Sequence, residues 1–162
     1  MAILDLIVQA ILFILPAYFA NSFPVVFGKI FKGKFPIDAG KKWKGQPLLG
    51  AGKTWPGFLG GLLIGTFVGG LQGALVAGFL LSLGALTGDL VKSFFKRRMK
   101  IQRGKSWPLI DQWDFLIGAL LFVSLVVRPS LETVVILLII TPLIHLGANT
   151  VAYLLKLKKE WY

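Results

Sequence analysis

Not one cysteine occurs in the 162 residues, which excludes disulfide scaffolds, thiol catalysis and Cys-ligated metal sites. Histidine is nearly as scarce. His145 stands alone inside an apolar run and reads as a packed, hydrogen-bonded side chain rather than a base. Acidic residues number seven against 18 basic ones, a net charge of +11. Such an excess is familiar in nucleic-acid-binding modules, but the hydropathy does not fit one. Hydrophobic residues make up 56% of the chain and its mean hydropathy is +0.76. A soluble domain of this size cannot hide that much apolar surface. What remains is an integral membrane protein whose charges sit in its loops, with no nucleic-acid partner. Two methionines, two asparagines and no cysteine are also the composition of a heat-adapted protein.

The apolar runs predict an all-α, polytopic membrane protein of about five transmembrane helices in a single domain. The first helix is expected over about residues 3–27, interrupted by Pro16 and by Asn21-Ser22-Phe23-Pro24. It has no basic leader and no small-residue cleavage site, so it does not read as a cleavable signal peptide. The second and third, over about 57–71 and 73–98, form a tight hairpin around Gln72. The fourth is expected over about 111–127 and the fifth over about 132–156, with Arg128-Pro129-Ser130 as the turn between them. Polar loops fill about 29–56 and 99–110.

Basic residues set the orientation. Seven lie in the first loop, seven in the second and three in the tail, whereas Arg128 alone lies opposite. By the positive-inside rule the N-terminus is outside and the loops and C-terminus are cytoplasmic. The expectation is a multi-pass cell-membrane protein with its working face on the cytoplasmic side. Glycines at 57, 61, 65, 69 and 73, and again at 84 and 88, form small-residue ridges suited to close helix packing.

Three segments can carry chemistry. In the first, Asp89, Lys92, Ser93 and Lys96 share one helical face through i, i+3 and i+4 spacing. A carboxylate at the end of an apolar helix needs a partner. In the second, Asp111 and Asp114 open the fourth helix, where the helix dipole favours acids. Hard oxygen ligands among loop cations suit Mg²⁺ together with a polyphosphate. In the third, Gly50-Ala51-Gly52-Lys53-Thr54 ends like a P-loop, but Pro47 stands where the first glycine is required and no strand precedes it. Thr54 is instead an expected N-cap with Pro56 in the first turn, and a helix start beside Lys53 can hold a phosphate.

Together these segments resemble the phosphatidate cytidylyltransferase (CDP-diacylglycerol synthase) superfamily. Its signature runs S-x-x-K-R, K, P and D-R-x-D. Here Ser93-x-x-Lys96-Arg97, Lys105, Pro108 and Asp111-Gln112-x-Asp114 stand in that order. The family's upstream K-T-W-x-G-F is matched by Lys53-Thr54-Trp55-Pro56-Gly57-Phe58. The resemblance covers about residues 50–118. The usual His-Gly-Gly before the last motif is absent, and Gln112 replaces its arginine. The compact five-helix form is most similar to the archaeal branch, the CDP-archaeol synthases. That resemblance implies Mg²⁺-dependent transfer of CMP from CTP to an isoprenoid ether-lipid phosphate, with release of pyrophosphate. It implies metal binding by Asp89, Asp111 and Asp114, with Lys96 also catalytic. Phosphate contacts would come from Lys53, Thr54, Lys92, Ser93, Lys96, Arg97 and Lys105. No obligate protein partner is implied beyond the membrane lipids.

Three rivals stand against it. A small transporter needs polar groups near the bilayer midplane, where only Thr66, Gln72, Ser82 and Ser124 fall. A CDP-alcohol phosphotransferase needs D-x-x-D-G, and here Phe115 follows Asp114. A non-catalytic scaffold for anionic lipid explains the lysines but not three acids among them.

Overall fold

The computed structural model describes residues 2–31, 34–102, 105, 107 and 109–156. Lys32, Arg103, Pro108, Lys158 and Lys159, which entered the charge and motif arguments, lie outside the described residues. The described residues form five helices: α1 (Ile3–Ile30), α2 (Trp55–Leu71), α3 (Leu75–Arg98), α4 (Ile110–Val123) and α5 (Leu131–Leu154). Between α1 and α2 sits a two-stranded antiparallel hairpin, β1 (Lys42–Trp43) and β2 (Gln46–Pro47), within a stretch expected only to be loop.

Among the described residues three helices are long and apolar enough to cross a membrane, over Ile3–Gly28, Leu75–Arg98 and Leu131–Leu154. At 1.5 Å per residue, α2 reaches only ~25 Å and α4 ~21 Å. The regular part of α4 ends at Val123, and residues 124–126 continue as turns. Ser124 Oγ donates to the Leu121 carbonyl there, and Pro129 bars helix just beyond. α1 runs unbroken through Pro16 and Pro24. Neighbouring helices often stabilise a proline within an apolar helix, and here both prolines pack against the glycine face of α2 at Gly57, Gly61 and Gly65.

Glycines set how closely the helices approach. A Cβ on Gly61 or Gly65 would collide with the backbone of α1, and one on Gly69 would strike Gly78 of α3. Gly84 and Gly88 of α3 lie against the backbone of Gly118 and Asp114 of α4 in the same way. The core between them is apolar: Ile14, Leu81, Ala85, Phe115, Leu116, Ala119, Val123 and Leu137 are fully buried. α5 is tied in by polar contacts. Tyr18 and Thr141 share a 2.9 Å hydrogen bond, and Trp113 Nε1 donates to the Leu138 carbonyl at 3.0 Å. His145 stacks on Phe115 and meets Asn149 at 3.2 Å, a packing role as expected. Outward-facing Leu63, Leu71, Leu121, Leu131, Leu143 and Leu154 leave an apolar exterior suited to lipid.

Candidate active site

The close glycine contact between α3 and α4 decides the geometry of the site. With Gly88 seated on the Asp114 backbone, the polar face of α3 meets the first turn of α4. Lys92 Nζ then lies 3.1 Å from Asp89 Oδ1, 3.4 Å from Asp111 Oδ1 and 2.7 Å from Asp114 Oδ2. Lys53 pairs with Asp89 from the loop before α2. Lys96 donates to both oxygens of Asp111, at 3.0 and 2.9 Å, and to the Lys105 carbonyl at 2.7 Å. Three of the chain's seven acids and three of its lysines thus form one network across α3, α4 and the first loop.

Within it the partners are unequal. The ammonium of Lys96 has three protons and three acceptors, and the residue is only 9% exposed. It is committed to holding Asp111 and the residue-105 backbone in place. Asp111 also accepts from the Trp107 N–H at 2.6 Å, and Gln112 accepts from the Leu109 N–H at 2.8 Å to close the start of α4. The Asp114 side chain is 4% exposed, and its Oδ1 has no hydrogen-bond partner among the described residues. A buried carboxylate oxygen left open is costly unless something else fills it. Arg97 and Lys105 make no ion pair with a described acid, and the Lys105 side chain is exposed. They are therefore the cations available to an incoming anion.

Ser93 and Thr54 have local duties. Ser93 Oγ donates to the Leu49 carbonyl at 2.7 Å, which ties the first loop to α3. Thr54 Oγ1 accepts from the Gly57 N–H at 3.3 Å and caps α2, the expected N-cap. The strand-like contacts of Ile37 with Lys53 and of Phe35 with Trp55 fix Lys53 beside the cluster. So the described members of the predicted site gather at one end of the α3–α4 pair or on the loop packed against it.

Two further residues organise that loop. Asp38 accepts from the N–H groups of Gly40, Leu49 and Gly50, at 3.0, 2.9 and 3.1 Å. Arg98 donates to the carbonyls of Trp43, Gln46 and Pro47 and lies against the rings of Trp43 and Phe94. An aspartate two residues before a glycine is the local signal for the first, since such a side chain turns back on its own backbone. Nothing local marks Arg98, whose partners lie some 50 residues away.

Burial alone would raise the Asp38 carboxyl, but the N–H groups of Leu49, Gly50 and Gly40 outweigh it and hold it below the usual carboxylate range. A carboxyl lowered by folding stabilises the fold above its unfolded pKa of about 3.9. That contribution is lost as the pH falls through the lower folded value. Amide exchange at Leu49 and Gly50, corrected for intrinsic rates, should therefore stay slow from pH 7 to about 4 and accelerate below. Asp38→Asn, whose amide nitrogen cannot accept, should exchange faster throughout and show no such step.

The donor set can be weighed against Mg²⁺, the ion expected from the sequence. Among the described residues no three Asp, Glu, His or Cys side chains stand close enough together to share an ion, because Lys92 lies between the three carboxylates. The chemistry nevertheless suits a hard cation. Mg²⁺ commonly takes one or two carboxylates and completes its shell with phosphate oxygens and water. The open Asp114 Oδ1 offers a carboxylate oxygen of that kind.

The family model for CarS-like CDP-archaeol synthases matches residues 3–162. The CDP-archaeol synthase of Pyrococcus furiosus is 47% identical over 94% of this chain and 96% of its own. That of Pyrococcus horikoshii is 48% identical over 94% and 95%, and that of Methanococcus maripaludis strain C5 is 41% identical over the whole of both chains. Among solved structures, one described as an intramembrane enzyme for archaeal membrane lipids biosynthesis superposes with a TM-score of 0.80. It is 40% identical and covers 88% of this chain and 94% of its own.

Proposed function

This chain belongs to the CDP-archaeol synthase family, and from that membership we propose that it transfers CMP from CTP to an unsaturated archaeal ether-lipid phosphate, giving CDP-archaeol and pyrophosphate. The observation that carries the reading to particular residues is the convergence of Asp89, Asp111 and Asp114 on Lys92.

The lipid phosphate is already an anion near neutral pH, so no general base is required. One of its oxygens attacks the α-phosphorus of CTP in line. A new phosphorus–oxygen bond forms as the bond to the β-phosphate bridging oxygen breaks, and the electron pair leaves with pyrophosphate. Catalysis is then positioning and charge neutralisation. Arg97 and Lys105 bind the triphosphate, together with Lys92 once it is drawn from its acids. Lys53 orients Asp89, and Lys96 holds Asp111. Ser93 keeps the first loop in place, and Thr54 caps α2, whose first-turn N–H groups would donate to phosphate oxygens. Asp114, with Asp89 and Asp111 beside it, would hold Mg²⁺ once Lys92 is drawn away, and the ion would offset the negative charge of the phosphates.

The finer topology follows the charge pattern: five passes, N-terminus outside, active site on the cytoplasmic face of the cell membrane. The two shorter helices cross with the help of the turns that extend them. Neither the transporter nor the scaffold reading gains from the fold, since the buried charges gather at one end of the helix pair and not midway along it.

Two measurements test this. Purified protein given CTP and the ether-lipid phosphate should release one pyrophosphate for each CMP that enters the lipid phase, and EDTA should stop both until Mg²⁺ is restored. Pyrophosphate released without lipid labelling refutes the transfer. In sealed vesicles, CTP should be used only from the side that carries the two long basic loops.

A further inference from the structure

Lys92 occupies the place that an ion shared by the three carboxylates would need. Oxygens from Asp89 on α3 and from Asp111 and Asp114 on α4 all point at its ammonium, at 2.7–3.4 Å. The three acids differ in what else they hold. Asp89 has Lys53 as a second cation, and Asp111 has Lys96. Asp114 has only Lys92 among the described acids and bases, and its Oδ1 is buried and unpartnered. If Lys92 moves away, Asp89 and Asp111 stay paired and in position, whereas Asp114 is left as a bare buried carboxylate.

An ammonium and a divalent cation cannot share that volume, because they repel strongly at such separations. Lys92 is also suited to moving: its point charge rides on a flexible four-carbon stem, unlike a planar guanidinium. We propose that Lys92 is an internal counter-cation that keeps the carboxylates closed to metal until nucleotide arrives. Its ammonium then passes to phosphate oxygens and opens Asp114 to the metal. The inference rests on the cytidylyltransferase reading above for the identity of the nucleotide. Beside its contact with the phosphates, Lys92 then orders binding: metal enters with the nucleotide and not before it.

Mn²⁺ is the probe, read by electron paramagnetic resonance on purified protein without lipid. Wild type without nucleotide should bind Mn²⁺ weakly. K92M, also without nucleotide, should bind it about tenfold or more tightly than wild type. Its thermal unfolding temperature should rise on adding Mn²⁺, where that of the wild type hardly moves. K92R, which keeps the charge, should stay as weak as wild type. Adding D114N to K92M should remove the gain. Equal Mn²⁺ affinity in nucleotide-free wild type and K92M overturns the proposal. If K92M does not fold, wild type decides alone: Mn²⁺ bound as tightly without CTP as with it overturns the proposal equally. CTP binding is measured separately. Its absence would count against the cytidylyltransferase reading and leave the wild-type and K92M comparison to decide the role of Lys92.

Discussion

Asp114→Asn is expected to lower kcat/KM for CMP transfer by about 10³-fold or more while the protein stays folded. Asp114 is the acid with the fewest other obligations. Among the described residues its Oδ1 is buried without a partner, and its one ion pair is with Lys92. Asparagine keeps the shape but cannot supply a full negative charge to a metal. Stability should suffer little, because Lys92 retains Asp89 and Asp111 as counter-charges. Removing one acid from this network therefore does not strand a buried cation, the usual reason such changes unfold a protein. Asp111→Asn should behave differently. It loosens Lys96, and through it the residue-105 backbone, so it should damage stability and rate together. Steady-state rates alongside thermal unfolding separate the two. Near-normal CMP transfer by the Asp114 variant would show that the metal and phosphates are held elsewhere.

The second large effect is structural. Gly118→Val should cost at least the ~1–3 kcal/mol typical of overpacking, and activity should collapse with it. A Cβ at Gly118 runs into the Gly84 carbonyl and comes within 3.1 Å of Gly88 Cα. These are backbone atoms of a facing helix, so no rotamer change can relieve the clash. α3 and α4 must separate, and that carries Asp89 and Lys92 away from Asp111 and Asp114. Gly28→Ala is the matched control, because a Cβ there meets nothing within 4 Å. A fall in unfolding temperature for Gly118→Val but not Gly28→Ala would show that the small-residue contact builds the site. Equal behaviour would argue that the helices are positioned by other means.

Much of this was legible from residue order. Helical spacing alone put Asp89, Lys92, Ser93 and Lys96 on one face, and the two acids at the start of α4 belonged with them once both helix ends lay on the same side. The glycine ladders announced close packing. Three features were harder to read, each for a physical reason. The resemblance gave Lys96 a phosphate contact, but helical spacing shows which residues share a face and not where their protons go; in the structure all three are spent on Asp111 and Lys105. Arg98 and Asp38 shape the first loop through contacts far apart in the chain, or through backbone donors that side-chain patterns do not reveal. The prolines of α1 suggested a break, yet the helix continues because α2 packs on both of them. Proline is a breaker in water more than in an apolar bundle.

The most direct measurement supplies purified protein with Mg²⁺ and CTP labelled at the α-phosphate, with two lipids in separate reactions: phosphatidate and the unsaturated archaeal ether phosphate. The account predicts labelled CDP-lipid from the ether phosphate, with the Asp114→Asn variant reduced about 10³-fold in the same reaction. Labelled product from neither lipid would contradict it.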